Sequence, residues 1–153
     1  MLQNDSYPSQ SNLPLDSFVS LAYEYCSKGN LSVILSDPVI SYDYLNLAQD
    51  ISNGMAYLHS KNIIHRDLKP ENIFITHDNR AKIADFGMSS SRRILQAVGT
   101  PFFMAPEILS GGAISTKSDV YSFGVLIWEV MTHKIPYESR NMEYEYILKL
   151  VSE

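Results

Sequence analysis

Four polar side chains lie close together in the middle of the chain. Asp67, Lys69 and Asn72 share one octapeptide, His65-Arg66-Asp67-Leu68-Lys69-Pro70-Glu71-Asn72, and Asp85 follows thirteen residues after Asn72 at the head of Asp85-Phe86-Gly87. A carboxylate can orient a hydroxyl and accept its proton while the oxygen attacks phosphorus. An ammonium two residues away can offset charge on a phosphoryl group in transfer. An amide oxygen and a second carboxylate are the hard oxygen donors that magnesium takes. In this order the four residues point to phosphate and magnesium chemistry. An isolated aspartate in a polar loop would point to nothing.

The elements that must position them are legible on either side. Leu47, Ile51, Met55 and Leu58 recur at spacings of four, four and three, which predicts an amphipathic helix over Asp43 to Ser60. Asn62-Ile63-Ile64, Ile73-Phe74-Ile75 and Ala81-Lys82-Ile83-Ala84 read as short β-type runs, the last two joined by the turn His77-Asp78-Asn79-Arg80. The two carboxylate-bearing loops then sit at the ends of a small sheet, a rigid support for loop residues. Ser118 to Met131 is apolar nearly all round, which predicts a buried central helix stopped by Pro136.

Toward the amino end, Phe18 to Tyr25 is aromatic and partly alternating and reads as a strand. Gly29-Asn30 ends it, and Asn30 can cap a short helix through Leu35. Residues 1–16, rich in Asn, Ser, Gln and Pro, read as a flexible arm or loop. Asn141 to Val151, with Met142, Tyr146 and Leu150 in line, reads as a further helix. There are no internal repeats.

Composition narrows the class. At 153 residues, 45% of them hydrophobic, the chain is one domain's worth with material for a core. A net charge of -5 argues against non-specific nucleic-acid binding, which needs a basic surface. The single cysteine, Cys26, allows no internal disulfide and suits a reducing compartment; it reads as a buried or hinge thiol. Met1-Leu2-Gln3-Asn4-Asp5 lacks the basic start and apolar run of a secretory signal. Val120 to Met131, the longest apolar stretch, falls short of the roughly 20 residues of a membrane span. A soluble, cytoplasmic protein is expected. The four histidines, 59, 65, 77 and 133, lack the spacing of a zinc site.

The octapeptide, Asp85-Phe86-Gly87 and Ala105-Pro106-Glu107 together resemble the catalytic loop, magnesium loop and following motif of eukaryotic protein kinases. The resemblance runs from about Phe18 to the end of the chain. It implies an α+β, mainly helical fold: the large, C-terminal lobe with a small sheet at its catalytic face, and a small lobe almost entirely missing. Residues 17–153 would be a partial kinase domain comprising the last small-lobe strand, the hinge, and the large lobe through the helix after the central one. By the same resemblance Asp67 is the catalytic base, Lys69 steadies the phosphoryl group, and Asn72 and Asp85 hold Mg2+ on the phosphates of ATP. Tyr23 falls at the gatekeeper position and Glu24-Tyr25-Cys26 at the adenine-binding hinge. Phe74, with Ile73 and Ile75, floors the adenine pocket. His65 and Phe86 belong to a hydrophobic spine anchored on Asp119, Gly87 completes the magnesium loop, and Arg66 would meet a phosphate on the activation loop, Met88 to Met104. Thr100 would reach the Asp67–Lys69 pair.

Lys69 and Gly99-Thr100-Pro101 resemble serine/threonine kinases. Ser118 to Val125 with Trp128-Glu129 resembles their tyrosine-kinase-like group, so a protein serine or threonine hydroxyl is the expected acceptor. The usual activation-loop acceptor, three residues before Gly99, is Gln96 here, which leaves Ser89, Ser90, Ser91 and Thr100. The arginine that pairs with Glu107 in the family is not apparent, and a buried, unpaired Glu107 would cost several kcal/mol. The first glycine is Gly29 and the first basic residue Lys28, so the glycine-rich loop and the phosphate-gripping lysine are not found. The 153-residue polypeptide alone is therefore expected to transfer phosphate poorly or not at all. The alternative is a catalytically weak half-kinase that acts as a binding or scaffold module. An open reading frame upstream encoding the missing loop and lysine would favour the enzyme.

Overall fold

The computed structural model describes residues 20–37, 39, 42–89 and 100–137. Its elements in chain order are α1 (Leu31–Leu35), α2 (Tyr44–Ser60), β1 (Ile73–Ile75), β2 (Ala81–Ile83), α3 (Pro106–Leu109) and α4 (Thr116–Thr132). Single 3-10 turns precede β1, at Pro70–Asn72, follow β2, at Phe86–Met88, and precede α3, at Pro101–Phe103. The fold is α+β and mainly helical, with one two-stranded sheet among the described residues.

Helix α2 organises the rest. Asp43 caps it by accepting the Asn46 amide at 3.1 Å, and Leu47, Ile51, Met55 and Leu58 are its buried residues, as their spacing predicts. Behind it, β1 and β2 pair antiparallel in the register Ile73 with Ile83, Phe74 with Lys82 and Ile75 with Ala81. Helix and sheet meet closely at Gly54, where an added Cβ would stand 2.7 Å from Ile83 Cδ1. A polar clamp fixes the same contact. Asp50 of α2 accepts Arg80 Nε at 2.8 Å, Arg80 Nη2 at 2.6 Å and the Ala81 amide at 3.0 Å. Burial pushes the Asp50 carboxyl up, but the Arg80 hydrogen bond, the largest influence, holds it below the ordinary carboxylate value.

Asn30 caps α1, as expected, by accepting the Val33 amide at 3.1 Å. The chain before it runs along β1: Lys28 donates to the Ile75 carbonyl at 3.1 Å and Ile75 donates to Gly29 at 2.8 Å. One core joins these pieces, built from Leu31 and Ile34 of α1, Leu47 and Ile51 of α2, Leu68 of the loop, Ile73 and Ile75 of β1, and Leu126 and Val130 of α4. A smaller cluster joins Ile64 to Ala105, Ile108 and Ile114.

Three local expectations differ. Residues 20–26 form no strand. A strand is stable only when its amides and carbonyls meet a neighbour, and the described residues supply none there. Leu21, Tyr23 and Tyr25 stand 73, 80 and 86% exposed. Asn62–Ile64 is no continuous strand: Asn62 is in the left-handed region at φ +58 and turns the chain out of α2, and only Ile64 takes a β-bridge position. Helix α4 is not buried all round. Its inward stripe is Ser118, Asp119, Ser122, Leu126 and Val130, polar in the first half, while Val120 and Met131 are 60 and 69% exposed. The stripe can be polar because each group is bonded: Ser122 Oγ donates to the Phe103 carbonyl at 2.7 Å, and Asp119 takes three donors described below. The helix is opened by a Ser115–Ser118 capping box and closed by His133 at φ +52, three residues before Pro136. The N-terminal arm, Phe18, Val19 and the helix expected over Asn141–Val151 lie outside the described residues. Among the described residues no helix is long and apolar enough to cross a membrane.

Candidate active site

Asp67 hangs from the loop between α2 and β1 and is 6% exposed. Both of its carboxylate oxygens are engaged. Oδ2 lies 2.8 Å from Lys69 Nζ and accepts Asn72 Nδ2 at 3.1 Å. Oδ1 accepts the Thr100 amide at 3.0 Å and its hydroxyl at 3.3 Å. Lys69 Nζ closes the ring by donating to Thr100 Oγ1 at 2.8 Å. Burial raises the Asp67 carboxyl, but Lys69, the Thr100 amide and Asn72 together hold it below its ordinary value. Asp67 is therefore ionised at neutral pH and able to accept a proton.

Asn72 is 5% exposed and spends its amide nitrogen on the Asp67 carbonyl, at 2.7 Å, and carboxylate. That fixes which end of its amide is the oxygen. Its carbonyl accepts the Ala84 amide at 2.9 Å, which ties the start of the second loop to the first. Asp85 follows directly, in the left-handed region at φ +60, exposed, with Oδ1 accepting the Gly87 amide at 3.2 Å. Sheet β1–β2 thus brings Asn72 and Asp85 to one edge.

Behind the loop stands Asp119, 1% exposed. Its Oδ2 accepts the His65 amide at 2.9 Å and its Oδ1 the Arg66 amide at 2.9 Å. His65, fully buried, donates from Nε2 to the Ala84 carbonyl at 3.0 Å, so its Nδ1 is the acceptor for the Asp67 amide at 3.4 Å. Its ring meets Phe86 edge-on, with centroids 5.5 Å apart. His59, which the sequence offered only as one of four unassigned histidines, places Nε2 2.8 Å from Asp119 Oδ2. Its one signal was position: it lies one turn beyond Met55 on the buried face of α2.

The structure leaves other expected site residues apart from this cluster. Glu24 is exposed and pairs with Lys82 at 3.1 Å, and Cys26 is half-buried with Sγ 3.9 Å from the Glu24 carbonyl. Phe74 is half-buried in β1 and bridges to Asn30. Glu107 corrects an expectation: it is exposed and accepts Ser118 Oγ at 3.2 Å, so no buried unpaired charge exists there. Of the activation loop, 90–99 lies outside the described residues.

Among the described residues no three His, Cys, Asp or Glu side chains converge on a metal site. Magnesium does not need such a cage. It binds through one or two protein oxygens with water and substrate phosphate as its other partners. The Asn72 amide oxygen and the exposed Asp85 carboxylate, held at one sheet edge, fit that demand.

The protein kinase domain family matches residues 9–152, and the chain belongs to that family. Relatives named as serine/threonine-protein kinases and as mitogen-activated protein kinase kinase kinases match about three quarters of the chain. A probable LIM domain-containing serine/threonine-protein kinase of Dictyostelium discoideum is 39% identical over 125 residues, covering 77% of this chain and 13% of the relative. Mitogen-activated protein kinase kinase kinase 13-A of Xenopus laevis is 41% identical over 127 residues, 77% of this chain and 13% of the relative. Mitogen-activated protein kinase kinase kinase dlk-1 of Caenorhabditis elegans is 39% identical over 124 residues, 76% and 13%. The chain thus spans a small part of the length of the curated relatives it matches.

Proposed function

We propose that this domain serves ATP-dependent phosphoryl transfer to serine or threonine hydroxyls of proteins. The observation that carries the proposal is the closed ring of Asp67, Lys69 and Thr100, with Asn72 bonded to Asp67 and Asp85 tied to Asn72 through the Ala84–Asn72 hydrogen bond. Asp67 orients the acceptor hydroxyl and takes its proton. Lys69 offsets charge on the phosphoryl group as it passes. Asn72 and Asp85 hold Mg2+, which when bound neutralises charge on the nucleotide phosphates. Such a transfer passes through a loose transition state, so positioning and electrostatics are the protein's main contribution. Glu24, Cys26 and Phe74 border the adenine in this proposal, Arg66 meets activation-loop phosphate, and His65, Phe86, Gly87 and Asp119 hold the two loops in place. Thr100, bonded to both Asp67 and Lys69, ties the loop to the acceptor side. A cytoplasmic setting suits an ATP-using domain with one free thiol.

The test is phosphorylation of a mixed serine, threonine and tyrosine peptide array by the protein carrying this domain. We expect phosphate on serine and threonine, lost when Mg2+ is removed and reduced about 10²-fold or more in Asp85→Asn. Exclusive tyrosine phosphorylation, or full activity in that variant, would overturn the proposal.

A further inference from the structure

We infer that the outer face of α4 is an interface for a second copy of this chain, paired antiparallel about a two-fold axis at Gly124. Along residues 117–131 the exposed positions are Lys117, Val120, Gly124, Trp128 and Met131. Their spacings of three, four, four and three read the same from either end, and Gly124 stands at the middle of the helix, Thr116–Thr132. At 3.6 residues per turn all five lie on one stripe. Such a stripe is self-complementary under a two-fold, the operation that makes an isologous dimer. Gly124 meets Gly124 of the second copy, Val120 meets Trp128, and Lys117 meets Met131. A stripe without that symmetry would fit some other partner better than it fits itself.

The face is apolar and hollow. Val120, Trp128 and Met131 are 60, 46 and 69% exposed, a line of apolar surface rather than scattered single residues. Beside them a groove of about 500 Å³ runs from Val120, Tyr121, Gly124 and Trp128 to Pro136 and Tyr137. Gly124 opens its floor. An added Cβ there would meet nothing within 4 Å, unlike Gly54, which Ile83 crowds. The packing of one chain therefore does not require glycine at this helix interior, where glycine is disfavoured. The close approach of a second backbone does. Helix axes pack at about 8–10 Å, and a missing side chain suits the near end of that range. Charge does not oppose the pairing. The chain carries a net charge of -5, yet the one charged residue in the stripe is Lys117. In the antiparallel arrangement the two Lys117 positions stand about 21 Å apart along the helices, beyond the Debye length of about 10 Å. Each lysine stem lies over Met131 of the second copy and keeps its ammonium in water. The inward stripe of α4 stays on the core, so the pairing leaves the hydrogen bonds of Asp119 in place. The inference does not rest on phosphoryl transfer.

The test is the oligomeric state of the 153-residue chain, read by analytical ultracentrifugation over a range of concentrations. One helix face is at the small end of specific interfaces, so we expect a concentration-dependent dimer, twice the mass of one chain, at micromolar concentration. Gly124→Glu sets two like charges together at the axis and should weaken association about tenfold or more. Its melting temperature, measured dilute enough that both proteins are monomeric, should be unchanged or raised, because glutamate is the better helix former. Cross-linking with Cys26→Ser as background reads the orientation. At the axis the two Cα atoms of Gly124→Cys come to about 4–5 Å, close enough for a disulfide, which spans about 4.4–6.8 Å. That variant should cross-link to itself on mild oxidation, and Lys117→Cys should not. A wild-type chain that stays monomeric, a Gly124→Glu variant that associates as wild type does, or equal self-cross-linking through Lys117→Cys would overturn the inference. If another stretch of the same polypeptide covers this face, wild type stays monomeric and Gly124→Glu lowers the melting temperature, which overturns it as well.

Discussion

Two carboxyl groups near the catalytic loop are pushed in opposite directions by their neighbours. Asp67 is held low despite its burial because an ammonium, an amide N–H and an asparagine N–H all face it. Glu129 of α4 is half-buried, and burial first, then the charge of Glu71, pushes it up to about 7. Between the ordinary glutamate value of about 4.3 and about 7, the folded chain binds a proton at Glu129 that the unfolded chain does not. Its contribution is therefore most favourable at acid pH and is lost as pH rises through about 7. Glu129→Gln should leave the melting temperature little changed at a pH of about 5 and raise it at a pH of about 8. Melts recorded at both values check this, and a variant less stable than wild type at the higher pH would contradict it.

At the scale of elements, α2 and β2 act as one support. Asp50 accepts two bonds from Arg80 and one from Ala81 and so pins the turn that feeds β2 and, beyond it, Asp85. Asp50→Asn should destabilise the fold by about 1–2 kcal/mol near neutral pH, at the modest end because Arg80 is largely exposed. The Asp50 carboxyl is depressed in the fold, so its stabilisation is present above the ordinary carboxylate range and lost as pH falls through its folded value. Urea titrations should then show the gap between wild type and variant closing in acid. Helix α2 was legible because its buried face is purely apolar and periodic. Helix α4 was legible in extent but not in orientation, because its inward face carries Ser118, Asp119 and Ser122, which hydropathy assigns to solvent. The stretch before Cys26 misled because aromatic alternation describes a strand only if a partner strand exists.

For the molecule as a whole, one apolar core ties α1, α2, β1, the catalytic loop and α4 together, with Ile51 fully buried near its centre. Ile51→Ala should cost about 2–5 kcal/mol, and fluorescence and circular dichroism should report the loss in one shared unfolding transition. Separate transitions for helix and sheet would contradict a single core. The order of Asp67, Lys69, Asn72 and Asp85, with the family resemblance, pointed to one cluster, and the structure brings Asp67, Lys69 and Asn72 into contact there. The contact of His59 with Asp119 could not be read in advance, because the two lie sixty residues apart and no local pattern encodes it. Glu107 was misjudged because its exposure depends on how α3 meets α4.

The central claim is that a buried, ionised Asp67 orients the acceptor hydroxyl within this ring of bonded side chains. Its most direct test is the rate of phosphate transfer to a serine peptide by the protein carrying this domain, wild type against Asp67→Asn, with melting curves recorded on both. We expect kcat to fall by about 10²-fold or more while the variant stays folded at the assay temperature. A folded Asp67→Asn variant that turns over at the wild-type rate would contradict the account.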